Sequence, residues 1–376
     1  MKYFSILVLL FLSMMFLCSS KDDQKISFID VPHNLGELKI DTLLPDSIYN
    51  YKYLNKTELN SRVYIANNKF LKTYILLYFR SNMFSNVFDM DKFDLLLSDA
   101  GKLDSNVAGI NFNIYKNRTL IPKFDELTDS TLWDYFDQGS FFAYSVPENY
   151  SDSLVIRDIP FDSTMVFYDS EDSLYKFAML MSMDYADSQV VAIGAFEPYF
   201  TPFLRFNRSE DSITIYRAYV TKTFFSYIND SSLYIPSVIN DYVFLHYNLS
   251  NYKNRDILIA NATLDLYYDV EKSFNPNFNA LLYNITDSIW KDSLSKVVNY
   301  VTDFVASSEY NSLEFTMNST IQNYCAVDSV KNIGFLITGD NNATFPGIIY
   351  LPNIVDTNYM PKLIIRYFEI LEESGE

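Results

Sequence analysis

Glycine is scarce, with 9 residues in a chain of 376, which excludes the Gly-rich loops that cradle phosphates. The turns must be built by the abundant Asn, Asp and Ser, whose short polar side chains bond to nearby backbone. Cysteine is scarcer: Cys18 and Cys325 are the only two. Cys18 ends an apolar leader, so no intramolecular disulfide is expected in a mature chain, and Cys325 reads as a small buried apolar residue. Of the two histidines, His33 falls in a linker and His246 in an apparent strand, an arrangement that does not spell a Cys–His nucleophile. Positive charge is outnumbered, 29 Lys and Arg against 47 Asp and Glu, for a net charge of −18. Such a surface repels a phosphate backbone, so nucleic acid is not an expected partner. The acidity reads as a solvated surface that keeps an exported protein soluble.

What is abundant favours strands. Aromatic residues make up 17% of the chain, with 31 Tyr and 31 Phe, a bias toward pleated, half-buried surfaces. Residues 259–268, Ile-Ala-Asn-Ala-Thr-Leu-Asp-Leu-Tyr-Tyr, alternate in polarity, and residues 108–115, Ala-Gly-Ile-Asn-Phe-Asn-Ile-Tyr, do the same. In both, the even positions (Ala260, Ala262, Leu264, Leu266; Ala108, Ile110, Phe112, Ile114) define one strand face.

The chain begins with Lys2 and an almost wholly apolar run over residues 3–17, then breaks at Cys18-Ser19-Ser20-Lys21. The run is shorter than the roughly 20 residues of a membrane-spanning helix and reads as a cleaved export signal over residues 1–20. Two readings of its end compete. Cys18 resembles the lipid-attachment cysteine of bacterial lipoproteins, although bulky Met15-Phe16-Leu17 precede it, and cleavage after Ser20 would give plain secretion. Residues 21–46 read as a tether.

Four paired landmarks suggest that the remainder is duplicated. Tyr53-Leu54-Asn55-Lys56-Thr57 matches Tyr219-Val220-Thr221-Lys222-Thr223, each followed by an alternating run, residues 73–79 and 242–249; the two alternating stretches above come next. Asp129-Ser130-Thr131-Leu132-Trp133-Asp134 then parallels Asp287-Ser288-Ile289-Trp290-Lys291-Asp292, and Thr201-Pro202-Phe203-Leu204-Arg205-Phe206 parallels Met360-Pro361 through Arg366-Tyr367. The order implies tandem β-sandwich domains at 47–208 and 209–370, with a tail at 371–376 and a boundary near 207–211. Trp290, Leu294, Val297, Val298, Val301, Phe304 and Val305 recur at helical spacing, which predicts an amphipathic helix over 288–306.

The stretches Phe244-Leu245-His246-Tyr247-Asn248-Leu249-Ser250, Ala260 through Tyr267, Gly334-Phe335-Leu336 and Pro361 through Tyr367 resemble the DNRLRE, or disaggregatase-related, domain, with His246 where that family has Arg. The resemblance covers about 211–368 and, more faintly, 47–207. It implies a jelly-roll sandwich on an exported or surface protein, serving as an accessory module, with some relatives acting as carbohydrate-binding modules.

Asp89-x-Asp91-x-x-Asp94 and Asp169-Ser170-Glu171-Asp172 are dense in oxygen donors but lack a calcium-loop spacing, and read as solvated turns. Trp133 and Trp290 read as core residues rather than sugar-stacking platforms, whereas one of Tyr267 and Tyr268 must face outward. About ten Asn-x-Ser/Thr triplets, including Asn55, Asn117, Asn207, Asn248, Asn261 and Asn318, would accept glycans in a eukaryotic secretory route. The expectation is therefore a non-catalytic, acidic surface lipoprotein of tandem sandwiches, with no cofactor, metal or catalytic set. Its expected partner is a polysaccharide or a surface protein, and its only membrane contact a lipid on Cys18. A structural envelope component and a hydrolase using paired carboxylates are the alternatives.

Overall fold

A computed structural model of the chain describes residues 35–52, 62–98, 101–102, 109–121, 127–128, 131–139, 141–146, 153–187, 189–195, 201–209, 212–227, 233–238, 241–291, 298–306, 309, 311–340, 345–352 and 356–371. It is all-β, as expected, and every strand pairing among the described residues is antiparallel. The strands group into two sandwiches. In the first, a six-stranded sheet runs Val220–Tyr227, Leu71–Ser81, Leu174–Met183, Asn111–Lys116, Phe142–Ser145, and Val166–Asp169 also pairs with Leu174–Met183. Opposite it lies a four-stranded sheet, Ser212–Arg217, Phe203–Ser209, Lys92–Ser98, Ser153–Pro160. Alternating side chains from both sheets, among them Ile75, Leu77, Phe79, Phe177 and Met179 against Phe93, Leu95, Ile156, Leu204 and Phe206, form one apolar core.

The second sandwich repeats the plan. Its five-stranded sheet runs Ser47–Lys52, Asp241–His246, Phe335–Gly339, Asn279–Ile285, Val298–Val305, and its four-stranded sheet runs Leu35–Leu43, Lys362–Ile370, Ile257–Tyr267, Ser312–Thr316. Leu245, Leu282 and Ile337 meet Leu264, Phe315 and Ile365 in its core. Each sandwich also carries a three-stranded sheet, Arg62–Ala66, Val190–Gly194, Gly101–Lys102 in one and Tyr234–Pro236, Ile348–Tyr350, Asp269–Phe274 in the other. These two small sheets meet: Tyr64, Leu71 and Val190 share a third apolar cluster with Tyr234, Phe274 and Tyr350, and Phe70 stacks on Phe274 at 5.1 Å. Glycine is spent here. A Cβ at Gly347 would sit 2.3 Å from the Asn275 carbonyl oxygen, and one at Gly339 2.5 Å from that of Pro236, so only glycine lets these backbones pass so closely.

The sequence repeat and the sandwiches do not coincide. The leading strands Leu35–Leu43 and Ser47–Lys52 belong to the second sandwich, pairing with Lys362–Ile370 and Asp241–His246. The strands Ser212–Arg217 and Val220–Tyr227, from the second sequence half, complete the first, pairing with Phe203–Ser209 and Leu71–Ser81. Residue-level matches confirm that the two pairs are equivalent. Ile40 lies opposite Arg366 and Ile215 opposite Arg205. Likewise the Asn50 side-chain oxygen accepts the Tyr234 N–H at 3.2 Å, and the Thr223 hydroxyl oxygen accepts the Tyr64 N–H at 3.0 Å. Each repeat thus lends its first two strands to the other repeat's sandwich. The expected tether over 21–46 is, in its second half, a paired strand, and the boundary expected near 207–211 falls instead after Tyr227.

Two further expectations fail for one reason, the β-bulge. In place of the helix expected over 288–306, the described residues form a turn at 288–291 and the strand Val298–Val305, while 292–297 lie outside the described residues. A bulge leaves Val301 unpaired between Thr302, opposite Leu282, and Tyr300, opposite Tyr283. Val301 and Phe304 therefore both pack on the core, and a three-residue interval imitates a helix. In Ile257–Tyr267 a bulge at Ala260 shifts the phase: Ile257 is buried before it, Ala262, Leu264 and Leu266 after it, and Ala260 is exposed. Residues 108–115 and 259–268 also prove not to be equivalents. Asn111–Lys116 lies in the larger sheet of its sandwich and Ile257–Tyr267 in the four-stranded one. The other alternating runs, the Trp pair and the closing strands do correspond.

The single α-helix among the described residues is Asn318–Ala326, which sequence reading missed. Its signal is Met317, Ile321 and Cys325, buried at intervals of four. The helix covers strand Ile257–Tyr267 where the bulge interrupts pairing. The Asn318 side chain accepts the Ala262 N–H, and Gln322 accepts from the Ile259 N–H while donating to the Ile257 carbonyl.

Candidate functional site

Of the carboxylates that could have held a cation, Asp94, Asp169 and Asp172 are engaged by protein groups. Asp94 is buried on strand Lys92–Ser98; Arg205 donates to it at 2.7 Å and the Asp158 N–H at 3.1 Å. Burial works against its charge, but these donors outweigh burial and hold its carboxyl below the ordinary range. Asp89 and Asp91 are exposed. Asp169 and Asp172 converge on the buried ammonium of Lys176. Burial opposes that charge too, yet the bonds to Asp169 and Asp172 more than offset it and raise the Lys176 pKa. Among the described residues no group of three His, Cys, Asp or Glu could hold a metal ion.

This ion cluster braces one end of the six-stranded sheet. Lys176 stands directly opposite Arg80, a like-charge pair that would be unfavourable if bare. Two carboxylates neutralise Lys176, and the Arg80 guanidinium lies 3.3 Å above the Tyr219 ring. On the other face of the same strand ends the rings of Phe88, Tyr175 and Tyr168 follow one another, with centroids 5.4 and 5.1 Å apart. Tyr168 is 55% exposed, Tyr219 46% and Phe88 37%. The neighbouring rings cross at 88° and 58°, so the surface is corrugated and offers one ring face at a time. Hydroxylated rings such as sugars suit this chemistry, with apolar ring faces for their C–H groups.

The remaining candidates are structural. Trp290 is buried against Phe244 at 5.4 Å and Tyr51 at 4.7 Å, and Trp133, half-buried, meets Tyr74 and Tyr115 at 5.2 and 5.3 Å. Both cover the outer face of the larger sheet of their sandwich. Tyr267 faces outward and Tyr268 is buried. His246 bonds Asp46 at 2.5 Å, and buried Cys325 has its thiol pushed up to about 11 by burial. Asn117 is buried, and with its amide turned to suit its neighbours it donates to the carbonyls of Met165 and Ala178. Asn248, Asn261 and Asn318 hold Ser250, Arg366 and Ala262. Asn207 donates weakly to Asp94 at 3.4 Å. Asp265, opposite Glu314 in the sheet, has its carboxyl pKa raised by burial first and by Glu314 second, with Arg366 and Lys362 opposing. Cys18, His33 and Asn55 lie outside the described residues.

The fold defines a class, an all-β protein of two sandwiches, and the comparisons add no family to it. No protein-family model, curated protein or solved structure matches the chain significantly.

Proposed function

We propose that this is a non-catalytic exported surface protein that holds a glycan, or a glycan-bearing surface component, at the aromatic end of its first sandwich. The observation that supports this reading is the ring row Tyr168–Tyr175–Phe88, exposed at Tyr168 and Phe88 and half-buried at Tyr175. Strand pairing positions Tyr168 and Tyr175 before any ligand arrives, which lowers the cost of binding. The resemblance of the second half to DNRLRE domains agrees with an accessory role. Affinity electrophoresis in soluble polysaccharides, followed by a glycan array, tests it. Loss of one stacking ring is worth about 1 kcal/mol, so Tyr168→Ala should weaken retention roughly fivefold without changing the melting temperature. A parent protein retained by no glycan, or a Tyr168→Ala variant that binds as well as the parent, removes the proposal.

The anchor is a separate part of the same reading. Among the described residues no helix is long and apolar enough to cross a membrane. If Cys18 carries the lipid, Cys18→Ala moves the protein from the detergent-extracted to the soluble fraction. Unchanged partition, with no fatty-acid label on the parent, rejects lipidation.

A further inference from the structure

The leading strands are shallowly embedded in their sandwich. Of the described side chains in 35–52, only Pro45 is buried, and Leu38 and Ile40 are 50% and 59% exposed. The equivalent strands of the other sandwich bury Tyr216, Thr221 and Phe224. Backbone pairing at the edges of two sheets holds 35–52, together with half-buried Leu43 and Ile48 on the core and Tyr49 and Tyr51 against Phe244 and Trp290. Lys39 on Glu369, His246 on Asp46 and Tyr252 on Asp41 supplement it. The segment continues into residues 53–61 and from there into the first sandwich, so it docks on a body from which its own onward chain departs. This is the connectivity of an exchanged element: the chain already lends 212–227 from one repeat to the sandwich of the other.

We propose that two copies of this protein trade residues 35–52, each copy's leading strands completing the second sandwich of the other. An exchanged pair makes the same ladder and the same ion pairs as the single chain, so those terms cancel. The balance is then set by protein concentration against the effective concentration of the segment on its own chain. The occupant is specific because the groove reads the strand by register: Ile40 must meet Arg366 and Thr42 must meet Ile364. Dual docking on two sheets at once disfavours a single unrelated strand.

Disulfide trapping tests this on the full chain. One batch carries Thr42→Cys and a second Ile364→Cys; they are mixed, unfolded, refolded together at high concentration and oxidised. A covalent dimer on a non-reducing gel is expected, and a mixture of Thr42→Cys with the exposed Tyr185→Cys should lack it. A single chain bearing both Thr42→Cys and Ile364→Cys is the internal control. If that chain closes its own disulfide while the mixture gives no dimer above the Tyr185→Cys background, the proposal is overturned. If the control does not close, a fluorescent peptide of residues 35–52, added during refolding of the parent, decides: co-elution with the protein supports exchange, and free peptide alone refutes it.

Discussion

Phe177 is where the first sandwich is most sensitive. It is fully buried on the central strand Leu174–Met183, opposite Phe79 in the sheet, with the rings of Phe79, Phe84, Phe93 and Phe161 at 5.9, 6.2, 5.9 and 6.2 Å. Four rings, two from facing sheets and two from the segments flanking them, cannot collapse into the space a truncation leaves, so Phe177→Ala should cost about 4 kcal/mol, within the range for buried Phe→Ala changes. The two tryptophans provide one reporter per sandwich, since Trp133 covers the first and Trp290 the second. With Trp290 replaced by Phe, urea unfolding followed through Trp133 should lose about 1.5 M from its midpoint, taking a slope of roughly 2.5 kcal/mol per molar urea for a domain of this size. With Trp133 replaced instead, the Trp290 midpoint should move by less than half as much, because among the described residues the two cores share no member and meet through the smaller Tyr64–Tyr234 cluster. Equal shifts at both reporters would refute two separate cores and make the molecule one cooperative unit.

Cys325 should resist alkylation at pH 8 in the native protein and react on unfolding. Its thiol is raised from 9.0 to about 11 by burial, so the unfolded chain releases the proton first and stability falls as pH climbs from about 9 to 11; a flat urea midpoint over that window would contradict the burial. Lys253 caps the segment after helix Asn318–Ala326 by donating to the carbonyls of Tyr324, Val327 and Val330 at 3.1, 2.6 and 3.0 Å. Lys253→Met should therefore cost about 1–2 kcal/mol in the second sandwich, read by Trp290, and leave Trp133 unchanged.

The all-β class was legible because the aromatic-rich alternation of strands is a local signal. Phe112 and Ile114 are buried as their spacing requires, and so are Leu264 and Leu266. The errors began where a strand departs from strict alternation. Val301 and Ala260 are single inserted residues, and one insertion is enough to turn period two into something close to period 3.6 over a short window. The aromatic row was not legible at all. Phe88 follows a 3₁₀ turn at Phe84–Val87, whereas Tyr168 and Tyr175 come from the two arms of a hairpin. Only the pairing of Tyr175 with Ser81, and of Tyr168 with Tyr175, brings those segments to one sheet end. Sequence spacing has no access to that register.

The exchanged strands show why a correct repeat can give an incorrect domain map. Similarity between halves is a statement about ancestry along the chain, and it aligns Trp133 with Trp290 and Pro202 with Pro361 whatever those residues touch. A sandwich is a statement about which edges are filled. After Phe203–Ser209 the chain turns straight into Ser212–Arg217 and stays on the same sheet, the cheapest connection available to antiparallel strands. After Lys362–Ile370 no described strand follows, and the vacancy is filled by the segment that precedes the first sandwich. The duplicated unit therefore acts as a ring of strands opened at two points. The first sandwich is continuous from residue 62 to 227, while the second must close over that whole span. Closing a loop of that length by an unfolded chain costs roughly 4–5 kcal/mol by the logarithmic loop law, a cost the folded first sandwich removes by holding residues 62 and 227 in place. Folding of the first sandwich should therefore precede docking of 35–52, and while that docking is pending a second copy's strands face the same open edge.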